Sequence, residues 1–545
     1  MTCSRQRIVS ALVVLGWVVA CGGGGNDDGG GLSTPPSEVP STPPPPHPEV
    51  DFVPSSLSET YAAGASVELG VKATLSAPFS GEVHVTVVDA AGVLMPEVTI
   101  KPDPQWVGSY FATFSTKPTL LVGRHQGKLE VRLCRDTGCG SQHPGSPWFL
   151  PYDFRIVPDT DLRPLTRWAH VNDWETFQGN AAHTGYVPVT LDASQFSPRW
   201  RWMAPENTDG LSPLVVAQGL IYLSSPERES TVSRPKLFAL RESDKEQQWQ
   251  INFSAYEINP PAVSGGKVFA ATSGHDTTFM WSFDAATGAQ LSKAPFFSQW
   301  NRYYAPTVEG GVVYTNGGSH GGMYAFNFVD GAQRWFGRLL QYDQWTPAVD
   351  AQYAYAYTGG VFSALDKSTG AVSFTIDDTL SFEWSGWSTY GAPVIGSNGS
   401  VVVVNGGNVF HDNFLVSFNP ASRDKNWSIK GRYGGNPAIA NGVIYVANTS
   451  PYRLEARSEA TGALLWSWAP SYAGERARHD ERGHFSDVLV TDNLVFVSTS
   501  KRVHAIDLAT HLPVWSYWEP GSLALSANGV LYVQGRNSLG AVNLK

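Results

Sequence analysis

A short phrase recurs through most of this chain and constrains its architecture more than any other feature. Its clearest copy, Arg457 to Trp468, reads as the end of an apolar strand, a tight Thr461-Gly462 turn and a second strand carrying Trp466. Further copies place an aromatic eight residues after the polar residue that opens the turn: Asp507 to Trp515, Asn327 to Trp335, Asn419 to Trp427, Arg241 to Trp249 and Asp366 to Phe374. Asp284 opens another copy, but Ser292 stands where the aromatic belongs, and Asn543 opens one just before Lys545. Self-similarity at a period of roughly forty residues is the mark of a repeat architecture.

Ahead of each copy lies a second recurring element, two apolar strands joined by a two-residue turn. The turns are Gln218-Gly219, Gly265-Gly266, Gly310-Gly311, Asp350-Ala351, Asn398-Gly399, Asn441-Gly442, Asp492-Asn493 and Asn528-Gly529. Most of these residues tolerate the positive φ that a tight hairpin needs. Each repeat therefore supplies four strands, A to D. Its A–B and C–D turns lie on one face, its B–C and D–A connections on the other. Four-stranded repeats of this length predict a β-propeller, whose circular closure hides the sheet edges. The last repeat lacks strand D, and Arg199-Trp200-Arg201-Trp202-Met203 is a D-type strand with no partners before it. Pairing the two predicts eight blades.

The N-terminal part differs. Arg5 and Arg7 precede an apolar run from Ile8 to Ala20, too short to span a bilayer and suited to the core of a signal peptide. Residues 22–50 are Gly-rich and then Pro/Ser/Thr-rich. Such a tract cannot bury a core and predicts a tether with a reach of about 50–70 Å. Residues 51–158 show period-two alternation, as in Val67, Leu69, Val71, Ala73 and Leu75, with turn clusters between. Six or seven short strands over this length predict an immunoglobulin-like β-sandwich. Of four cysteines, Cys134 and Cys139 form a close pair expected to be a disulfide, as an oxidising compartment allows. The full expectation is an all-β chain: 1–21 leader, 22–50 tether, 51–158 sandwich and 159–545 eight-bladed propeller.

Charge and composition narrow the partners. A net charge of −10 argues against nucleic acid. Nineteen Trp and twenty-one Tyr among only 16% charged residues suit aromatics packed between sheets. The repeated tryptophans Trp249, Trp335, Trp427, Trp466 and Trp515 read as structural. The D–A connections hold a second aromatic set: Phe296, Phe297, Trp300, Tyr303, Tyr304, Tyr342, Trp345, Trp384, Trp387 and Tyr390. His320 and His411 fall in B–C connections, and His479 and His484 in a D–A connection, all on one predicted face. A ring of Trp and Tyr with a few charges suits a peptide segment or a saccharide, because rigid amphipathic rings bind at low entropic cost. Four separated loops do not make a metal site, and no metal or cofactor is expected.

Two resemblances rest on these residues. Val18-Val19-Ala20-Cys21 resembles the bacterial lipobox, which implies lipidation of Cys21 and, with Gly22 after it, an outer-membrane lipoprotein. The Asp/Asn…Thr-Gly…Trp phrase and the lead-in Trp174 to Tyr186 resemble the pyrroloquinoline-quinone-like repeat of quinoprotein propellers, over about residues 170–545. The dehydrogenases of that superfamily carry a disulfide over their cofactor, and this chain has no cysteine after Cys139. The chain is more similar to the non-catalytic propeller lipoprotein of the outer-membrane barrel-assembly machinery. That resemblance implies a monomeric, protein-binding scaffold of the cell envelope and no enzyme. A saccharide- or small-ligand-binding surface protein is the alternative, and a quinone-dependent oxidoreductase a third.

Overall fold

The structure, a computed structural model, describes residues 9–13, 49–77, 83–103, 108–206, 208, 210–225, 234–273, 278–298, 305–340, 345–378, 392–405, 412–470 and 488–545. Cys21, Trp300, Tyr303, Tyr304, Tyr342, Trp384, Trp387, Tyr390, His411, His479 and His484 lie outside the described residues, as does most of the tether. The described part is all-β apart from two 3-10 turns, and the chain passes from its first compact unit to its second after Val157.

The first unit has two sheets. One runs Val9–Val13, Val83–Val88, Gly123–Cys134, Trp148–Val157, Leu57–Ala62; the other runs Val50–Val53, Glu68–Leu75, Ser109–Ser115, Thr99–Pro102. Their alternating apolar faces share a cluster in which Val83, Val85, Val131 and Leu133 pack with Phe52, Leu75 and Ile100. Cys134 and Cys139 are joined by a disulfide at the end of the long strand Gly123–Cys134.

Among the described residues, the second unit has eight antiparallel sheets in chain order. The third, for example, is Thr307–Glu309, Val312–Asn316, Gly322–Asn327, Gln333–Arg338, strands A to D. In the eighth sheet, strands Ser522–Leu525, Val530–Gln534 and Ser538–Asn543 are completed by Ser197–Met203, with Trp200 opposite Ala541. The A strands of the first to the seventh sheet touch in succession, and that of the eighth touches the 3-10 turn Phe177–Gly179.

The recurring phrase has a physical cause at each step. The Asp or Asn that opens the C–D turn accepts hydrogen bonds from N–H groups two or three residues on, as Asp507 does from Ala509 (3.1 Å) and Thr510 (2.7 Å). The fifth residue then takes positive φ: Lys245, Gly288, Gly331, Gly370, Arg423, Gly462 and His511. A bulge between strands C and D follows in every one of these sheets, and a bulge re-aims the side chains beyond it. The aromatic after the bulge lands on the C–D turn of the next sheet. Trp249 donates its Nε1–H to the Ala285 carbonyl (3.0 Å), Trp335 to Lys367 (2.9 Å), and Trp427 to Glu459 (3.0 Å). Trp200, in the strand that closes the eighth sheet, donates in the same way to Glu242 of the first (3.0 Å). Trp466 stacks on His511 instead, with ring centroids 4.5 Å apart.

Candidate functional site

Two places in the second unit depart from plain repetition. One is the lead-in. Carbonyls of Trp174, Glu175, Ala181, Ala182, Thr184 and Gly185 accept from the A-strand N–H groups of Val216, Val263, Val349, Ile395, Ile439 and Val490, at 2.8–2.9 Å. Those residues belong to the first, second, fourth, fifth, sixth and seventh sheets. The third is reached by side chains, Thr176 Oγ1 to the Pro306 carbonyl (2.8 Å) and His183 Nε2 with Thr307 Oγ1 (3.1 Å). A single short segment thus ties together the A-strand ends of seven sheets. His183 is fully buried at φ +59°, and burial pushes its pKa down to about 4, so the neutral ring is the resident form. These contacts make the segment a structural hub, within which Gln178 Oε1 is buried without a hydrogen-bond partner.

The other departure is open to solvent. In seven sheets the residue after the fastening position on strand D is polar: Arg201, Gln250, Lys293, Thr375, Ser428, Ser467 and Ser516. In the third sheet it is Phe336, opposite Tyr324, with the ring centroids 4.5 Å apart and Phe336 38% exposed. Its ring fits because positions 318 and 322 are glycines, where a Cβ would meet it. Phe297, from the preceding D–A connection, is 73% exposed. It is held in place by its carbonyl, which accepts from Gly318 N–H (2.7 Å), while neighbouring Phe296 is buried against Tyr324. Phe297, Phe336 and Tyr324 line a cleft of about 320 Å³, with Ser319, His320, Gly321, Gln333 and Arg338 around them.

The cleft has a charge of one sign. Arg338 and His320 are exposed, and neither has a hydrogen-bond or ion-pair partner among the described residues. Among the described residues no carboxylate lines the cleft. Burial raises the Tyr324 hydroxyl pKa, and its oxygen accepts from Phe297 N–H (3.3 Å). The arrangement can seat an apolar side chain against aromatic rings and pair an anion at the rim.

Of the sequence-predicted binding residues within the described part, His320 lies on this cleft. Trp345 does not belong to an open face and is corrected here. It is 2% exposed, in a cluster with Tyr314, Met323, Trp335 and Leu339. A large apolar ring beside a short A strand gains more from burial than from waiting in solvent. Among the described residues no group of three His, Cys, Asp or Glu side chains converges. Phe297 belongs to the aromatic D–A run, and Phe336 was missed as a site residue, although aligning the residue after each repeat aromatic finds it.

A family model described as outer membrane protein assembly factor BamB matches residues 184–303 and 280–468, together just over half of the chain. The chain belongs to this family of PQQ-like repeat propellers. Among solved structures similar to it is the quinohemoprotein alcohol dehydrogenase of Comamonas testosteroni, at 15% identity and TM-score 0.51, covering 68% of this chain and 80% of that one. The quinohemoprotein alcohol dehydrogenase ADHIIG of Pseudomonas putida HK5 has 12% identity and TM-score 0.50 with the same coverage. BamB of Moraxella catarrhalis has 15% identity and TM-score 0.46, covering 64% of this chain and 98% of that one. Likeness at such identity is a likeness of fold. No curated protein matches the chain. In this PQQ-like repeat propeller, both the lead-in hub and the fastening tryptophans serve the fold, and the third-sheet cleft is where the repeat is broken in favour of an exposed aromatic surface.

Proposed function

We propose that the chain is a non-catalytic cell-envelope lipoprotein that binds partner proteins through the face carrying the B–C and D–A connections of an eight-bladed propeller. In this reading residues 1–21 are a leader ending at the lipid-acceptor Cys21, and 22–50 a tether. Residues 51–158 form an immunoglobulin-like sandwich that acts as spacer or docking module. Cleavage before Cys21 removes strand Val9–Val13 and leaves Val83–Val88 at the edge of its sheet. The protein is held at the outer membrane by its lipid and acts as a monomer. Membership of the BamB family supports an envelope scaffold.

The single observation that carries the protein-binding reading is the exposed pair Phe297 and Phe336, the latter set where the sister sheets carry polar residues. Exposed aromatics clustered in a cleft are the anchors that protein interfaces favour. The D–A aromatics Trp300, Tyr303, Tyr304, Tyr342, Trp384, Trp387 and Tyr390, with His411, His479 and His484, extend this proposed face.

The test is affinity capture from solubilised membranes with the full chain and with Phe336→Ser, which installs the residue that three sister strands carry. A protein retained by the parent chain and lost with the variant supports the reading. Equal capture by both, or retention of a glycan alone, overturns it. Substituting Cys21→Ser should move the protein from the membrane fraction to the soluble fraction; a variant that still sediments with membranes removes the lipid anchor from the proposal.

A further inference from the structure

We infer that the third-sheet cleft takes an acidic peptide segment of a partner protein, with an apolar side chain seated between Phe297 and Phe336 and a carboxylate on Arg338. The inference rests on the protein-binding reading above and adds the chemistry of the partner.

Three observations converge on this occupant. The first is charge. Arg334 and Arg338 are exposed on strand Gln333–Arg338, and His320 stands at the rim, while the chain as a whole carries −10. A local cationic rim with no lining carboxylate among the described residues selects anionic groups and repels cationic ones, and an Arg guanidinium matches a carboxylate in two parallel hydrogen bonds.

The second is the strand itself. Gln333–Arg338 is the outermost strand of its sheet, and among the described residues no strand flanks its outer side. An unpaired edge offers main-chain N–H and C=O groups to an added extended segment, and pockets beside it then choose side chains. The sister edges carry polar residues at the Phe336 position, which discourages such addition. The third sheet alone replaces that guard with a ring.

The third is size and shape. About 320 Å³ sits at the small end of ligand pockets, room for one large side chain and its neighbours. The glycines at 318 and 322 recess the Phe336 ring, so the floor of the cleft is fixed by backbone.

The probe is a fluorescein-labelled peptide Gly-Ser-Asp-Phe-Glu-Ser-Gly, titrated against the full chain by fluorescence anisotropy. Gly-Ser-Lys-Phe-Lys-Ser-Gly and Gly-Ser-Asp-Ala-Glu-Ser-Gly are the comparators. Saturable binding of the first, at least tenfold tighter than of either comparator, is the expected result. Arg338→Glu should weaken the acidic peptide at least tenfold and strengthen the lysine peptide. Phe336→Ser should abolish the preference for Phe over Ala. Equal affinity for acidic and basic peptides, or no saturation at about 1 mM, overturns the inference. So does a cleft that binds neutral oligosaccharides and no peptide. If Arg338→Glu leaves membrane capture intact while Phe336→Ser destroys it, the acidic partner falls and the protein-binding reading stands.

Discussion

Trp335 and Gly370 belong to neighbouring sheets and occupy one continuous contact. The indole lies so close to the glycine that a Cβ there would overlap the ring, and its Nε1 reaches the carbonyl of Lys367, three residues before that glycine, at 2.9 Å. Gly370 has φ +74°, the conformation that ends the C–D turn. The glycine of the repeat thus has two duties, turning its own strand and admitting the tryptophan of the previous sheet. The same relation holds for Trp249 with Gly288 and for Trp427 with Gly462. Where the aromatic is missing, Gly331 closes directly onto Ser292.

Removing the ring should therefore cost as much as a buried aromatic truncation. Trp335→Ala is expected to destabilise the second unit by about 3–5 kcal/mol, read from its urea transition. Gly370→Ala should also destabilise, through the positive φ and the ring overlap. In the Trp335→Ala background only the φ cost remains, so the two effects should be clearly non-additive. Strict additivity would show that ring and glycine do not share the contact.

The buried His183 makes stability depend on pH. Its pKa is pushed down to about 4 in the folded chain, below the ordinary value near 6.5, so the unfolded chain binds the proton first as pH falls. The contribution is fully present above pH about 6.5 and is lost as pH falls toward about 4. Lowering pH from 7 to 5 should remove about 2 kcal/mol from this residue alone. His183→Asn tolerates the left-handed φ of +59° and carries no such proton. The difference in stability between pH 7 and pH 5 should be smaller in the variant. An identical loss in both proteins would place the pH dependence elsewhere.

Much of the second unit is legible in the sequence because its signals are local. An Asx turn, a residue of positive φ and a two-residue hairpin are each set by a few neighbouring side chains, and they recur. The pairing of Ser197–Met203 with Ser538–Asn543 was readable from one missing strand at each end. Trp345 was not readable, since composition marks an aromatic loop and cannot tell whether a ring turns inward. Phe336 was hidden by its neighbour: beside Trp335 it reads as part of the fastening, although strand alternation places the two rings on opposite faces of the strand. The hub contacts of Trp174 to Gly185 join residues up to 305 positions apart, as Gly185 and Val490 do, beyond any local pattern.

Glu455 is a fully buried carboxylate of the sixth sheet, and its charge is met by two arginines. Arg453 and Arg457 each bring an Nη2 to within 2.7 Å of it, and Asn448 donates at 3.1 Å. Breaking a buried pair by deleting one partner leaves the other charge unmet. Glu455→Gln keeps the shape and removes the charge, and should cost about 3–5 kcal/mol by urea denaturation. Replacing Glu455 and Arg457 together with Met should cost less than Glu455→Gln alone. A double variant that is worse than the single would show that the network does more than neutralise.

The cleft supplies the last test, because its floor depends on an absence. A methyl group at position 322 would collide with the Phe336 ring and with the Gly337 carbonyl oxygen, 2.8 Å away. The ring can swing outward and the backbone oxygen cannot, so Gly322→Ala should both destabilise the third sheet and disorder the cleft. Overpacking of this kind costs about 1–3 kcal/mol. Phe336→Ser relieves the ring and leaves the carbonyl, so the double variant should recover part of the loss and no binding. Urea denaturation checks the first half of this expectation and peptide anisotropy the second. Full recovery of stability would assign the whole cost to the ring. Retained binding in Gly322→Ala would mean that Phe336 need not sit where the glycines let it, and the aromatic wall would no longer explain what the cleft recognises.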